Sequence, residues 1–260
     1  MRSLGSHLCF NSDIGSLKPE NIIHTEAKCP FCDRSKLEGI LEQRGDILWI
    51  KNKYPVLQDA FQTVIIETKD CCSELSRYSK EQLHAVIRFG VEKWLEMIQS
   101  KNYTSVIFFK NHGPFSGGTI RHPHMQIVGL QYIDCQERVP EESFQGIVVD
   151  RRSGVELNLT TKPKVGFTEF NVILDDLAYI DQMADYIQII AHYLLNHFHK
   201  KCNSYNIFFY QVKEQIIAKI MPRFVTSPLF IGYSIPHVSN QLDKNVKQVQ
   251  AFYFNQEANK

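Results

Sequence analysis

Two aromatic-rich runs, Val106-Ile107-Phe108-Phe109-Lys110 and Asn206-Ile207-Phe208-Phe209-Tyr210, occupy matching places in the two halves of the chain. Each follows a stretch with apolar residues at helical spacing. In the first stretch Leu83, Val86, Ile87, Val91, Trp94, Leu95 and Ile98 form one stripe, and Ser79 with Gln82 three residues on gives a capping-box start. In the second, Ile180, Met183, Ile187, Ile190, Leu194 and Phe198 line one side. Strand-like segments 47–50 and 63–67 precede the first helix, and 155–159 and 167–174 precede the second. Segments 105–109 and 125–130 follow the first, and 205–209 and 215–218 follow the second. Two strands, a helix and two strands, twice over, predict an α+β chain built from a duplicated unit, an antiparallel sheet with packed helices. The charged, irregular stretch 134–142 marks the join, giving halves of residues 1–140 and 141–260.

Between the last two strands of the first half stands Asn111-His112-Gly113-Pro114-Phe115-Ser116-Gly117-Gly118-Thr119-Ile120-Arg121-His122-Pro123-His124-Met125-Gln126. Side chains alternate on an extended chain, so His122, His124 and Gln126 are expected on one face. Glycines at 113, 117 and 118 permit positive φ and let backbone amides approach an anion. Imidazole is nucleophilic and largely neutral near pH 7, and its phosphoramidate is labile enough to be displaced again. Charge developing on a phosphate would be met by the loop amides, Thr119, Asn111 and Gln126. A phosphate-handling site is therefore expected here.

Cysteine gives a second constellation. Cys29-Pro30-Phe31-Cys32 has the spacing that lets two thiolates hold one tetrahedral zinc. A redox pair would suit the same spacing, but the charged turn Asp33-Arg34-Ser35-Lys36 follows instead of a thioredoxin-like pattern. Two further ligands are needed: Cys71 or Cys72 supplies one, and His122 the other. With all four positions filled by protein, such a zinc is structural. The cysteine total of seven is odd and fits a metal site better than a disulfide frame, leaving Cys9, Cys135 and Cys202 as thiols.

The histidine segment resembles the active-site signature of the galactose-1-phosphate uridylyltransferases, a branch of the histidine-triad superfamily. Those proteins carry Asn-x-Gly, a Gly/Ser-rich turn and His-Pro-His-x-Gln. The resemblance implies a duplicated histidine-triad-like unit with a catalytic first half and a degenerate second half. It makes His124 the nucleophile that takes a nucleoside monophosphate, and Gln126 a hydrogen-bond donor to the phosphoryl oxygens. Gln126 stands where the hydrolytic relatives keep a third histidine. Zinc-binding members use a Cys-x-x-Cys pair, a residue of a Pro-Asp-His-type segment and the first motif histidine. Lys69-Asp70-Cys71 stands in the place of that segment, so the implied ligands are Cys29, Cys32, Cys71 and His122. Lys51-Asn52-Lys53-Tyr54-Pro55 is similar to a nucleotide-contacting segment, which adds Asn52 to Gly117, Gly118 and Thr119 as expected substrate contacts.

Two departures bear on the substrate. Met221-Pro222-Arg223 and Phe230-Ile231-Gly232-Tyr233 look like the family's closing strand, but Ser234 replaces a sugar-contacting glutamate. Ala218-Lys219-Ile220 replaces a His-x-His pair that forms a second metal site in some members. The resemblance implies a zinc-stabilised nucleotidyltransferase, a homodimer by analogy, acting on a nucleotide or nucleotide-sugar. Water or inorganic phosphate as acceptor would make the same histidine serve a hydrolase or phosphorylase, and fold and zinc without turnover would make a nucleotide-binding protein. A formal net charge of +1 gives no general attraction to nucleic acid or an anionic membrane. No apolar stretch approaches the roughly 20 residues of a spanning helix, and the start lacks the build of a signal peptide. A cytoplasmic enzyme is the expectation.

Overall fold

The computed structural model describes residues 7–24, 26–135, 138–139 and 141–254. They form two compact α+β units, one comprising the described residues up to Glu74 with Arg88–Val139, the other Leu75–Ile87 with those from 141 onward. The expected join at 134–142 lies partly outside the described residues, at 136, 137 and 140.

The first unit holds β1 (Ile40–Arg44), β2 (Ile47–Lys51), β3 (Ala60–Ile66), β4 (Ser105–His112) and β5 (His124–Leu130), preceded by the short helix α1 (Ser12–Ser16). All neighbours are antiparallel, in the order β1-β2-β3-β5-β4. Helix α2 (Lys80–Gln99) connects β3 to β4, and Gln82 N donates to Ser79 Oγ (3.2 Å) at its start. In its second half Val91 and Trp94 are buried, and the Trp94 indole donates to Val106 O at 2.9 Å. Gly90 lets Phe108 lie against the helix, since a Cβ there would stand 2.6 Å from its ring. β5 is the strand that matters for chemistry. His124 pairs with Ile66 at its start, and Gln126 sits across from Val64 and Phe109.

The second unit repeats that connectivity with β6 (Gly146–Arg152), β7 (Val155–Thr160), β8 (Phe170–Leu174), helix α3 (Ile180–Tyr193), β9 (Tyr205–Val212) and β10 (Gln215–Pro222). Its order is β9-β10-β8-β7-β6. A wide helical turn, Leu194–Phe198, extends α3, and α4 (Pro228–Tyr233) and α5 (Leu242–Tyr253) end the described chain. Ile180, Met183, Ile187, Ile190 and Leu194 are buried as the stripe predicts. Leu75–Ile87 pack here too: Gln188 Nε2 donates to the carbonyls of Leu75 and Tyr78, and Asp185 pairs with Lys80 and His84.

The structure corrects the sequence reading at four places. The first strand of each unit, β1 and β6, is one that periodicity did not reveal. Both are edge strands with charged residues and a register shift, which mutes the apolar alternation that marks a buried strand. The expected strand 167–174 begins only at Phe170. Phe230–Tyr233 is not a closing strand but part of α4, whose cap Ser227 Oγ accepts from Leu229 N at 3.2 Å and whose C-cap Ser234 is left-handed.

Candidate active site and metal centre

Two short turns bring three thiols together. In the first, Cys32 N donates to Cys29 O at 3.4 Å, closing the knuckle. In the second, Asp70 N donates to Thr68 Oγ1 (3.1 Å) and Cys72 N to Asp70 Oδ1 (2.8 Å), which fixes the chain around Cys71. The ligand atoms of Cys29, Cys32, Cys71 and His122 all lie within 4.8 Å of one another, a set that could hold a metal ion. Cys72 instead faces outward, with the Arg121 guanidinium 2.9 Å from its sulfur.

The dimensions suit zinc. Ligand distances of about 2.3 Å for sulfur and about 2.0 Å for nitrogen put neighbouring donors of a tetrahedron roughly 3.6 Å apart. His122 Nδ1 is 3.5 Å from Cys29 Sγ and 3.8 Å from Cys32 Sγ. Its other nitrogen lies 2.8 Å from Thr68 O, so Nε2 carries the proton and the Nδ1 lone pair faces the sulfurs. Burial raises the Cys29 thiol, but bonds with His122, Phe31 and its neighbours bring it down to about 6. Burial and then the adjacent thiols push Cys71 up to about 12. One thiolate forms readily and makes the next harder, a repulsion that a divalent cation relieves.

His122 also reaches the second site through its backbone. His124 Nδ1 donates to His122 O at 2.7 Å, which leaves Nε2 unprotonated. Burial is the main cause that lowers the His124 imidazole to about 4, so it is neutral at physiological pH. The Phe31 ring, between the two cysteines of the knuckle, stands edge-on to both imidazoles, with centroids 5.9 Å from His122 and 5.6 Å from His124. Lys110 on β4 pairs with Glu67 at 2.5 Å, both being at most 1% exposed, and its ammonium lies 3.4 Å from His124 O.

His124 and Gln126 share a cavity of about 80 Å³ with Gly117, Gly118, Thr119 and Asn52. Pro19, Phe31, Asn52, Tyr54, Val64 and Ile120 continue from it into a wider cleft of about 400 Å³, whose apolar wall includes Leu37 and Ile50. The expected common face thus holds for His124 and Gln126, while the His122 ring, just ahead of β5, turns to the thiols. Asn111 is not in the cavity wall; its Cβ would stand 3.2 Å from a side chain added at Gly118, behind the loop. Asn52 forms a turn, Oδ1 accepting from Tyr54 N at 2.9 Å, and lines the cavity as well.

The loop is shaped by Ser116, whose Oγ donates to Gly113 O (2.7 Å) and accepts from Gly118 N (3.4 Å). Gly113 and Gly117 adopt φ of +83° and +84°, whereas Gly118 is small because Asn111 lies close behind it. Three further residues line the cavity: Phe31 and Tyr54, which lie inside short motifs without a role assigned to them, and Lys18, which precedes the Cys29 knuckle and belongs to no motif.

At the place of the second metal pair, Lys219 is buried, pairs with Glu169 at 3.1 Å and donates to Ser143 O at 2.8 Å. An ion pair occupies that position.

Two family models, the N-terminal and C-terminal domains of DUF4931, a domain of unknown function, match residues 10–133 and 136–254. A crystal structure of a DUF4931 family protein from Bacillus cereus is 46% identical, covering 83% of this chain and 99% of its own, with a TM-score of 0.76. A uridylyltransferase structure is similar at a TM-score of 0.70 and 15% identity, over 87% of this chain and 91% of its own. An ADP-glucose phosphorylase from Arabidopsis thaliana with bound ADP-glucose is similar at 0.69 and 15% identity, over 90% and 92%. At such identities the likeness is one of fold. A di-/tripeptide transporter from Lactobacillus helveticus is 35% identical over 90 residues, which span 35% of this chain but only 18% of that curated relative. Among the described residues no helix is long and apolar enough to cross a membrane. The matched models and the Bacillus cereus structure place the chain in the DUF4931 family.

Proposed function

We propose that the chain is a cytoplasmic nucleotidyltransferase of the uridylyltransferase kind, working through a covalent nucleotidyl-His124. The observation that carries this reading is the bond from His124 Nδ1 to His122 O, which leaves Nε2 as the nucleophilic atom of a cavity rimmed by a glycine turn and Gln126. Nε2 attacks the α-phosphorus of a nucleoside diphosphate derivative. The N–P bond forms as the P–O bond to the departing phosphate breaks, and that phosphate leaves with the electron pair. The Nδ1 proton stays on the ring, where His122 O stabilises the imidazolium. An oxygen of a second phosphate then attacks the same phosphorus, the N–P bond breaks, and His124 is regenerated. Gln126 and the amides of Gly117 and Thr119 meet the charge on the phosphoryl oxygens, and the apolar cleft at Phe31, Leu37 and Ile50 takes the base.

Cys29, Cys32, Cys71 and His122 would hold a zinc, which supplies rigidity and no open coordination position. Through His122 that rigidity reaches the carbonyl that orients His124. The two units with one strand order are read as a duplicated histidine-triad unit, the second without the nucleophile, and the protein as a homodimer.

One observation favours a phosphorylase as the second reading. The segment expected to contact a sugar is the exposed helix α4 ending at Ser234, so no built acceptor for a sugar hydroxyl follows from it. Inorganic phosphate would then be the acceptor, with the first half-reaction unchanged. The test is isotope exchange between labelled glucose 1-phosphate and UDP-glucose or ADP-glucose, with no second acceptor present. Exchange that is lost in His124→Ala supports the two-step route. Consumption of the nucleotide sugar without exchange points to a hydrolase, and neither process with either substrate counts against transfer of these nucleotides.

A further inference from the structure

A lysine that takes no part in the bond changes of the nucleotidyl transfer is among the residues lining the cavity of about 80 Å³. Lys18 lines it beside Gly117, Gly118, Thr119, His124 and Gln126, and no other wall residue there carries a charge while His124 is neutral. The segment delivering it is fastened on both sides. Upstream, Asn11 N donates to Val56 O (2.7 Å), and Asn11 Oδ1 caps α1 by accepting from Ile14 N (3.1 Å). Downstream, Asn21 N and Ile22 N both donate to Thr119 O (2.9 and 3.2 Å), while Asn21 Oδ1 accepts from Arg121 N (2.7 Å). The strap is thereby bound to the loop that leads into the histidines.

The Lys18 ammonium has no hydrogen bond or ion pair among the described residues, although the side chain is half-buried. Withdrawing a cation from water without a partner is unfavourable, and burial lowers this amine from its ordinary value. An anion in the cavity supplies the missing partner. Gly117 and Thr119, whose amides have no acceptor among the described residues, line the same space. Lys51 and Lys53 also line the wide cleft, together with Glu38 and with Lys36, which pairs with Asp33 at 2.8 Å.

We propose that Lys18 is a catalytic residue forming an anion subsite with the Gly117–Thr119 turn, and that it binds the phosphate adjoining the one His124 attacks. The ligand class is a nucleotide bearing a pyrophosphate linkage. This rests on the nucleotidyl-transfer reading of His124. As the P–O bond breaks, negative charge gathers on the departing phosphate, and a point charge at Lys18 stabilises it more than it stabilises the bound substrate.

The test is calorimetric titration of the full, zinc-loaded chain with inorganic pyrophosphate, for the wild type, Lys18→Met and Lys18→Arg. Loss of one charge-assisted bond should weaken binding by about tenfold or more in Lys18→Met. Lys18→Arg should bind close to wild type, zinc content should not move in either variant, and the Tm of the ligand-free chain should not fall in Lys18→Met. In the exchange assay, kcat should fall more than KM changes in Lys18→Met. Unchanged pyrophosphate affinity in Lys18→Met, or no pyrophosphate binding by the wild type, overturns the proposal. Lys18-dependent pyrophosphate binding in a wild type that shows no exchange leaves the anion subsite standing and removes nucleotidyl transfer. Exchange undiminished in Lys18→Met leaves nucleotidyl transfer standing and overturns the catalytic role of Lys18.

Discussion

Cys71 and Cys72 adjoin in the chain but face different neighbours. The Cys71 sulfur is grouped with Cys29, Cys32 and His122, whereas Cys72 is exposed beside Arg121. Cys71→Ser should therefore release the metal while Cys72→Ser retains it, as metal analysis of the purified variants would show. Loss of zinc from Cys72→Ser alone would contradict the ligand set. Spacing could not rank the pair, because a one-residue shift in a turn redirects a side chain without changing any pattern. Lys18 was equally illegible, since a lone lysine carries no signature until the fold delivers it. His112 offers a prediction in pH. Burial lowers its imidazole to about 4, with Glu74 opposing in part. The unfolded chain takes up that proton near 6.5, so the neutral ring contributes its full stability above that value and loses it as pH falls through 4. The loss should reach about 1–2 kcal/mol by pH 5. Urea unfolding at pH 7.5 and 5.0 should show a shallower decline for His112→Gln than for the wild type.

Among the elements, β5 and its flanking turn were readable because the glycines, the alternating polar residues and the apolar run each point to one geometry. β1 and β6 were not, because an edge strand exposes one side and needs no apolar alternation. β4 runs three residues beyond its apolar core and thereby brings Lys110 to Glu67 beneath His124. Breaking this buried pair from one side leaves a charge unmatched, so Lys110→Met should cost about 3–5 kcal/mol in unfolding free energy. The double variant Lys110→Met/Glu67→Leu should recover most of that loss. Urea midpoints of the three proteins check the prediction, and a single variant as stable as the wild type would refute it.

For the molecule as a whole, the repeat of aromatic strands after amphipathic helices pointed to the connectivity that both units share. It did not reveal that Leu75–Ile87 pack within the second unit, because a helix stripe does not say which sheet it covers. A fragment of residues 141–260 lacks the partners of Gln188 and Asp185 and should not give the cooperative unfolding transition of the intact chain, which circular dichroism with urea would show. The chemistry is tested most directly by intact-mass spectrometry of the native chain after incubation with a panel of nucleotide sugars. The wild type should gain the mass of one nucleoside monophosphate, and His124→Ala, with zinc and fold intact, should gain none. An adduct that persists in His124→Ala, or substrate turnover by that variant at the wild-type rate, would contradict the covalent role of His124.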